Sequence, residues 1–114
     1  MKPERAYLAD ILDQSEFITR QVRRIEREEF FLDEVLSRAL LHSLLIIGEA
    51  ANRLSPEFLD RSQDIPWPKI VALRNRIVHD YAGIDLELIW NICDRDIPAL
   101  ADSVRSQLET GQAQ

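Results

Sequence analysis

Apolar residues recur at helical spacing along most of the chain. Tyr7, Leu8, Ile11, Leu12, Ile18, Val22 and Ile25 step by threes and fours, which predicts a first amphipathic helix. The charge-rich RRIEREEF at 23–30 ends that helix or turns the chain. LDEVLSRALLHSLLIIGEAANRLS follows, apolar almost all round, and belongs at the centre of a bundle. Asp33 suits its N-cap, with acidic side chains in the first turn.

SPEFLDRSQDIPWP interrupts the pattern. Ser55 followed by Pro56 predicts a short capped helix with proline at its first position. Pro66 and Pro68 restart the chain, and a third long helix is expected from about Pro68 to His79. Gly83 offers a left-handed stop. Asp85 then caps LELIWNICDRDIPALADSVRSQLE, whose Trp90, Cys93, Ile97, Leu100 and Val104 form a packing stripe. Pro98 must kink or split that helix. The expected fold is an all-α up-and-down bundle of four main helices and one short one. It occupies residues 1–114 as one domain, with a polar tail fraying after about residue 108.

Composition narrows the class. With 114 residues, 46% of them apolar, the chain can bury a modest core. A net charge of −6 argues against indiscriminate binding to nucleic acid or anionic membranes, though not against a local basic patch. Cys93 is the only cysteine, so no intrachain disulfide can form, and a reducing compartment fits. MKPERAYLAD has no apolar signal core, and the longest apolar run, LLIIG, is far too short to span a bilayer. These features lead to the expectation of a soluble cytoplasmic protein.

LRNRIVHDY at 73–81 breaks the apolar logic. On a helix turning about 100° per residue, Ile70, Val71, Leu73, Ile77 and Val78 form one arc, and Arg74 falls inside it. His79 lies about 140° from Arg74, with Asn75 one turn before it. Arg74 therefore either meets an acid or reaches past its neighbours to a cleft. His42, Glu49 and Arg53 form a narrow polar stripe on the preceding long helix, and Glu49 is the candidate partner for a bidentate ion pair. Read as structure alone, His79 serves the helix C-terminal dipole, Arg74 an ion pair, and Tyr81 the bundle. His42 then becomes a satisfied histidine of the central helix, and Trp67 and Trp90 core anchors.

Read as chemistry, a histidine exchanges protons near neutral pH and an arginine stabilises charge developing on a phosphate. Together they suffice for RNA cleavage through its own 2′-hydroxyl, with no metal, cofactor or protein nucleophile. Asn75 would orient the imidazole or contact the phosphate. Lys69, Arg74 and Arg76 make this stretch basic, whereas residues 80–109 carry seven acids and two arginines.

RNRIVHDY fits the pattern arginine, four residues, histidine, any residue, tyrosine, and resembles the HepT-like toxins of the HEPN superfamily. LLIIGEAANRLSPEF, DIPWPKIVALRNRIVHDYAGIDLELIW and DIPAL extend the likeness over roughly residues 5–108. The resemblance implies an all-α fold and a metal-independent endoribonuclease toxin. It implies Arg74 and His79 as the catalytic pair, supported by Asn75, and the local positive charge makes Lys69 and Arg76 the expected RNA contacts. It implies a homodimer whose two motifs share one cleft. It also implies a minimal nucleotidyltransferase antitoxin that transfers AMP to Tyr81. The alternative is a helical partner subunit of such a nucleotidyltransferase that cleaves nothing.

Overall fold

Side-chain caps and prolines set the helix boundaries. The computed structural model describes residues 3–110, and among these every regular element is helical. Helix α1 spans Glu4–Val22 and buries Leu8, Ile11, Ile18 and Val22. Helix α2, Arg27–Leu32, lies where a turn was expected. Glu26 and Glu29 form its capping box, with the Glu26 amide donating to Glu29 Oε1 at 3.0 Å. Helix α3, Glu34–Ala51, begins where the Leu36 amide donates to Asp33 Oδ1 at 2.9 Å. Helix α4, Pro56–Arg61, is capped by Ser55, which accepts from the Phe58 amide at 3.2 Å. Helix α5 runs Trp67–His79, with proline in its first turn.

The last long helix has a defect at its centre. Helix α6, Leu86–Asn91, is capped by Asp85, and helix α7, Ile97–Thr110, continues it. Between them Ile92–Asp96 form a π-helical turn, closed by the Ile97 N–H donating to the Ile92 carbonyl. Pro98 supplies the cause. It has no N–H to offer the Asp94 carbonyl, and its ring would strike that carbonyl in a regular helix. The wider turn moves the obstacle aside without splitting the helix.

The bundle thus has four long helical segments and two short helices, one more short helix than expected. Helix α3 packs between α1 and α5, and α7 packs on the other side of α1. The α1 and α3 helices run antiparallel, and Glu4 Oε1 accepts from the Ser55 amide at 2.9 Å, tying the start of one to the end of the other. Arg105 bonds Glu16 at 3.0 Å across α7 and α1. Trp67 and Trp90 are buried, as expected of core anchors, and the stripe from Trp90 to Val104 lies in the core. The tail proves helical through Thr110, and its remaining residues, 111–114, lie outside the described ones. Among the described residues no helix is long and apolar enough to cross a membrane.

Candidate functional site

Helix α5 carries the motif, and its seating on α3 and α4 determines what the motif presents. At its start, the buried Trp67 indole N–H donates to Ser62 Oγ at 2.9 Å, and Ser62 Oγ donates to the Phe58 carbonyl at 2.9 Å. Along its length Ile77 is buried, while Ile70, Val71 and Leu73 are half-buried. The expected arc is therefore real but does not close, since Val78 is 47% exposed.

Arg74 sits inside that arc and meets α3. Gly48 lies directly opposite. A Cβ at position 48 would overlap the Arg74 Cβ and stand 2.8 Å from its Cγ. Only glycine lets the two helices approach this closely. One residue on, Glu49 takes the guanidinium. Arg74 Nε donates to Glu49 Oε1 at 2.5 Å, and Nη2 pairs with the same oxygen. The expected partner is thus present, but both nitrogens converge on one oxygen instead of forming two parallel bonds. The pair is also not buried: the side chains are 26% and 42% exposed.

Asn75 serves the arginine. Arg74 Nη1 donates to Asn75 Oδ1 at 2.8 Å. Among the described residues no hydrogen bond joins Asn75 to His79, which is exposed in the last turn of α5. Lys69 and Arg76 are exposed on the same helix. The structure therefore groups Arg74, Asn75 and Glu49, and leaves His79 projecting elsewhere. Tyr81, just beyond the helix, is 42% exposed and is not a bundle aromatic.

Two expectations change. His42 is exposed, not satisfied in the core, because α3 leaves one face uncovered, with Val35 80% exposed and Arg38 and His42 following it. Gly83 is not left-handed. Helix α5 stops because Asp80 leaves helical geometry at φ −144°, ψ 47°, and a Cβ at Gly83 would stand 2.6 Å from Asp80 Oδ1. Sequence reasoning missed Gly48, whose signal was a glycine inside an unbroken helical pattern. It also missed Arg38. That side chain bonds Glu34 at 2.7 Å and 3.1 Å. Those bonds, then the Glu34 charge and then Tyr81, raise its pKa.

An apolar groove of about 470 Å³ opens beside the motif, between α5 and the α6–α7 helix. Ile70, Leu73, Leu88 and Ile92 line it, and neither Arg74 nor His79 does. No three His, Cys, Asp or Glu side chains among the described residues converge as a metal site.

An all-α bundle whose penultimate long helix ends in arginine, four residues and histidine, with tyrosine two residues further on, defines a recognisable class. The chain belongs to the HepT-like ribonuclease family, whose model matches residues 11–106. It is 38% identical to a candidate RNase of Caldanaerobacter subterraneus subsp. tengcongensis, over 96% of this chain and 97% of that protein. A candidate RNase of Methanocaldococcus jannaschii is 33% identical over 88% of this chain and 92% of its own length. A candidate ribonuclease HepT of Thermococcus cleftensis is 34% identical over 82% and 86%. No solved structure matches the chain.

Proposed function

We propose that this protein is a metal-independent endoribonuclease toxin of the cytoplasm, working as a homodimer and silenced by a minimal nucleotidyltransferase antitoxin. The observation that carries the reading is the motif helix itself. It presents an exposed imidazole, an anchored guanidinium and two further cations on one short element. Relatives named as RNases align over nearly the whole chain.

Arg74 and His79 diverge by about 140° on α5, too far round one helix to serve as neighbours on a single face. A two-fold axis near α5 resolves this by bringing both copies of the motif to one cleft. There one imidazole takes the proton of the RNA 2′-hydroxyl, whose oxygen attacks the adjacent phosphorus. The bond to the 5′-oxygen breaks, and a protonated imidazole, the partner's His79, gives that oxygen its proton. Arg74 stabilises the charge on the phosphoryl oxygens. Lys69 and Arg76 hold the flanking backbone. The products are a 2′,3′-cyclic phosphate and a free 5′-hydroxyl.

Tyr81 supplies the control. Its hydroxyl attacks the α-phosphorus of ATP held by the antitoxin and releases pyrophosphate. The resulting AMP group sets bulk and negative charge beside a site that must accept a phosphate backbone. The partial exposure of Tyr81 supports access by a second enzyme.

The test is cleavage of RNA by purified, unmodified protein in excess EDTA, with product ends analysed. Cyclic phosphate ends that vanish in His79→Ala are expected. Activity that EDTA abolishes and a divalent ion restores overturns the mechanism. A wild-type protein that binds the cognate nucleotidyltransferase and cleaves nothing makes it a non-catalytic partner subunit instead. Tyr81→Phe, expressed with the antitoxin, should remain unmodified and toxic.

A further inference from the structure

The side chain of Arg74 is held at both ends before any RNA arrives. Its stem lies against the bare backbone of Gly48, where even a methyl group has no room. Its head donates from Nε to Glu49 and from Nη1 to Asn75, and Nη2 forms an ion pair with the same Glu49 oxygen. A guanidinium has five N–H donors in a rigid plane. Two are hydrogen-bonded here and the inner side of Nη2 is engaged by the Glu49 charge, which leaves one on Nη1 and the outer one on Nη2.

We infer that Glu49 is a positioning residue for RNA cleavage. It fixes the plane of Arg74 so that the two remaining donors meet the scissile phosphate without reorganisation. The inference rests on the ribonuclease reading above. A long, flexible side chain would otherwise have to be ordered by the substrate, and that ordering would weaken transition-state stabilisation. With Glu49 in place the ordering is complete on folding. Glu49 also removes one positive charge from a site that attracts a polyanion, so its effect on ground-state RNA affinity is unfavourable. These opposed effects give the residue a kinetic signature that a merely structural carboxylate lacks.

The experiment measures kcat and KM on one RNA for wild type, Glu49→Ala, Glu49→Gln and Glu49→Asp, with melting curves for each. Glu49→Ala should lower kcat by on the order of tenfold to a hundredfold, as expected for a misplaced catalytic group. Its KM should be unchanged or lower, because the site gains a net positive charge. Glu49→Gln keeps a neutral oxygen for the Nε–H and should recover part of kcat. Glu49→Asp, one carbon shorter, should not. A nitrogen-15 spectrum of the Arg74 Nε–H, free of RNA, should show an exchange-protected signal in wild type that Glu49→Ala loses. Wild-type cleavage with kcat undiminished in Glu49→Ala overturns the inference alone, and a rise in kcat would make Glu49 an inhibitory counter-charge. A wild-type protein that cleaves no RNA overturns the ribonuclease reading and the inference together.

Discussion

The Trp67 indole N–H and the Ser62 hydroxyl meet at 2.9 Å in the core, and this contact sets where the motif helix begins. Both residues are buried. Ser62→Ala should leave the indole donor unpaired away from water, at a cost of about 1–3 kcal/mol. Thermal unfolding followed by tryptophan fluorescence measures it. Trp67→Phe combined with Ser62→Ala removes both polar groups, and should destabilise by less than the sum of the single changes.

Loss of either motif side chain should leave the bundle folded. His79 is exposed, so His79→Ala should melt with wild type. The Arg74–Glu49 pair is half-exposed, and such pairs contribute at most about 1 kcal/mol. Arg74→Ala also loses packing of its stem, whereas Arg74→Met keeps most of it. Melting curves of the two should differ by the packing contribution. A loss of about 3–5 kcal/mol for both would mean a desolvated pair, contrary to the exposure of these side chains.

Gly48→Ala sets two effects against each other. Alanine favours the helix by about 1 kcal/mol over glycine. The added methyl would overlap the Arg74 stem, and overpacking of this kind costs about 1–3 kcal/mol. A net loss of stability is expected in chemical denaturation, with the α3–α5 spacing enlarged. A neutral or stabilising result would show that the two helices spread freely.

Cys93 should make stability depend on alkaline pH. It is fully buried, and burial, aided by the Asp94 charge, pushes its thiol up from 9.0 to about 12. The unfolded chain ionises first. The contribution is therefore fully present below about pH 9 and is lost as pH rises toward 12, at no more than about 1.4 kcal/mol per pH unit. Subtracting a Cys93→Ala profile from that of wild type isolates it. Alkylation of the native protein at pH 8 should be slow, because the thiolate is the nucleophile.

Much of this fold was legible from short-range rules. Asp33, Ser55 and Asp85 each cap the helix they were expected to cap, because a cap depends on neighbours two or three residues away. Helix α2 escaped because its capping box uses Glu26 where serine or threonine is usual, so the segment reads as a charged turn. His42 was misplaced for a longer-range reason. An apolar helix looks central from its own residues, and nothing in those residues tells which face the other helices leave uncovered. Within the site, Glu49 was legible as the acid nearest a misplaced arginine. The donor angles were not, because whether a carboxylate offers one oxygen or two depends on how closely α3 and α5 approach. The roles proposed for Arg74, His79, Asn75 and Tyr81 rest on likeness to a family, since spacing alone also fits a helix end with a structural ion pair.

The π-helical turn at Ile92–Asp96 has a consequence for the phase of the final helix. A π turn holds one residue more than an α turn for nearly the same rotation, so everything after it is clocked by a single surplus position. Closing the turn into regular α-helix with all five residues kept would turn α7 by roughly 100° relative to α6. Val104 would swing out of the core and Arg105 away from Glu16. The C-terminal third of the chain is therefore held in phase by that surplus residue, and a one-residue deletion within α7 should do more damage than one inside the turn.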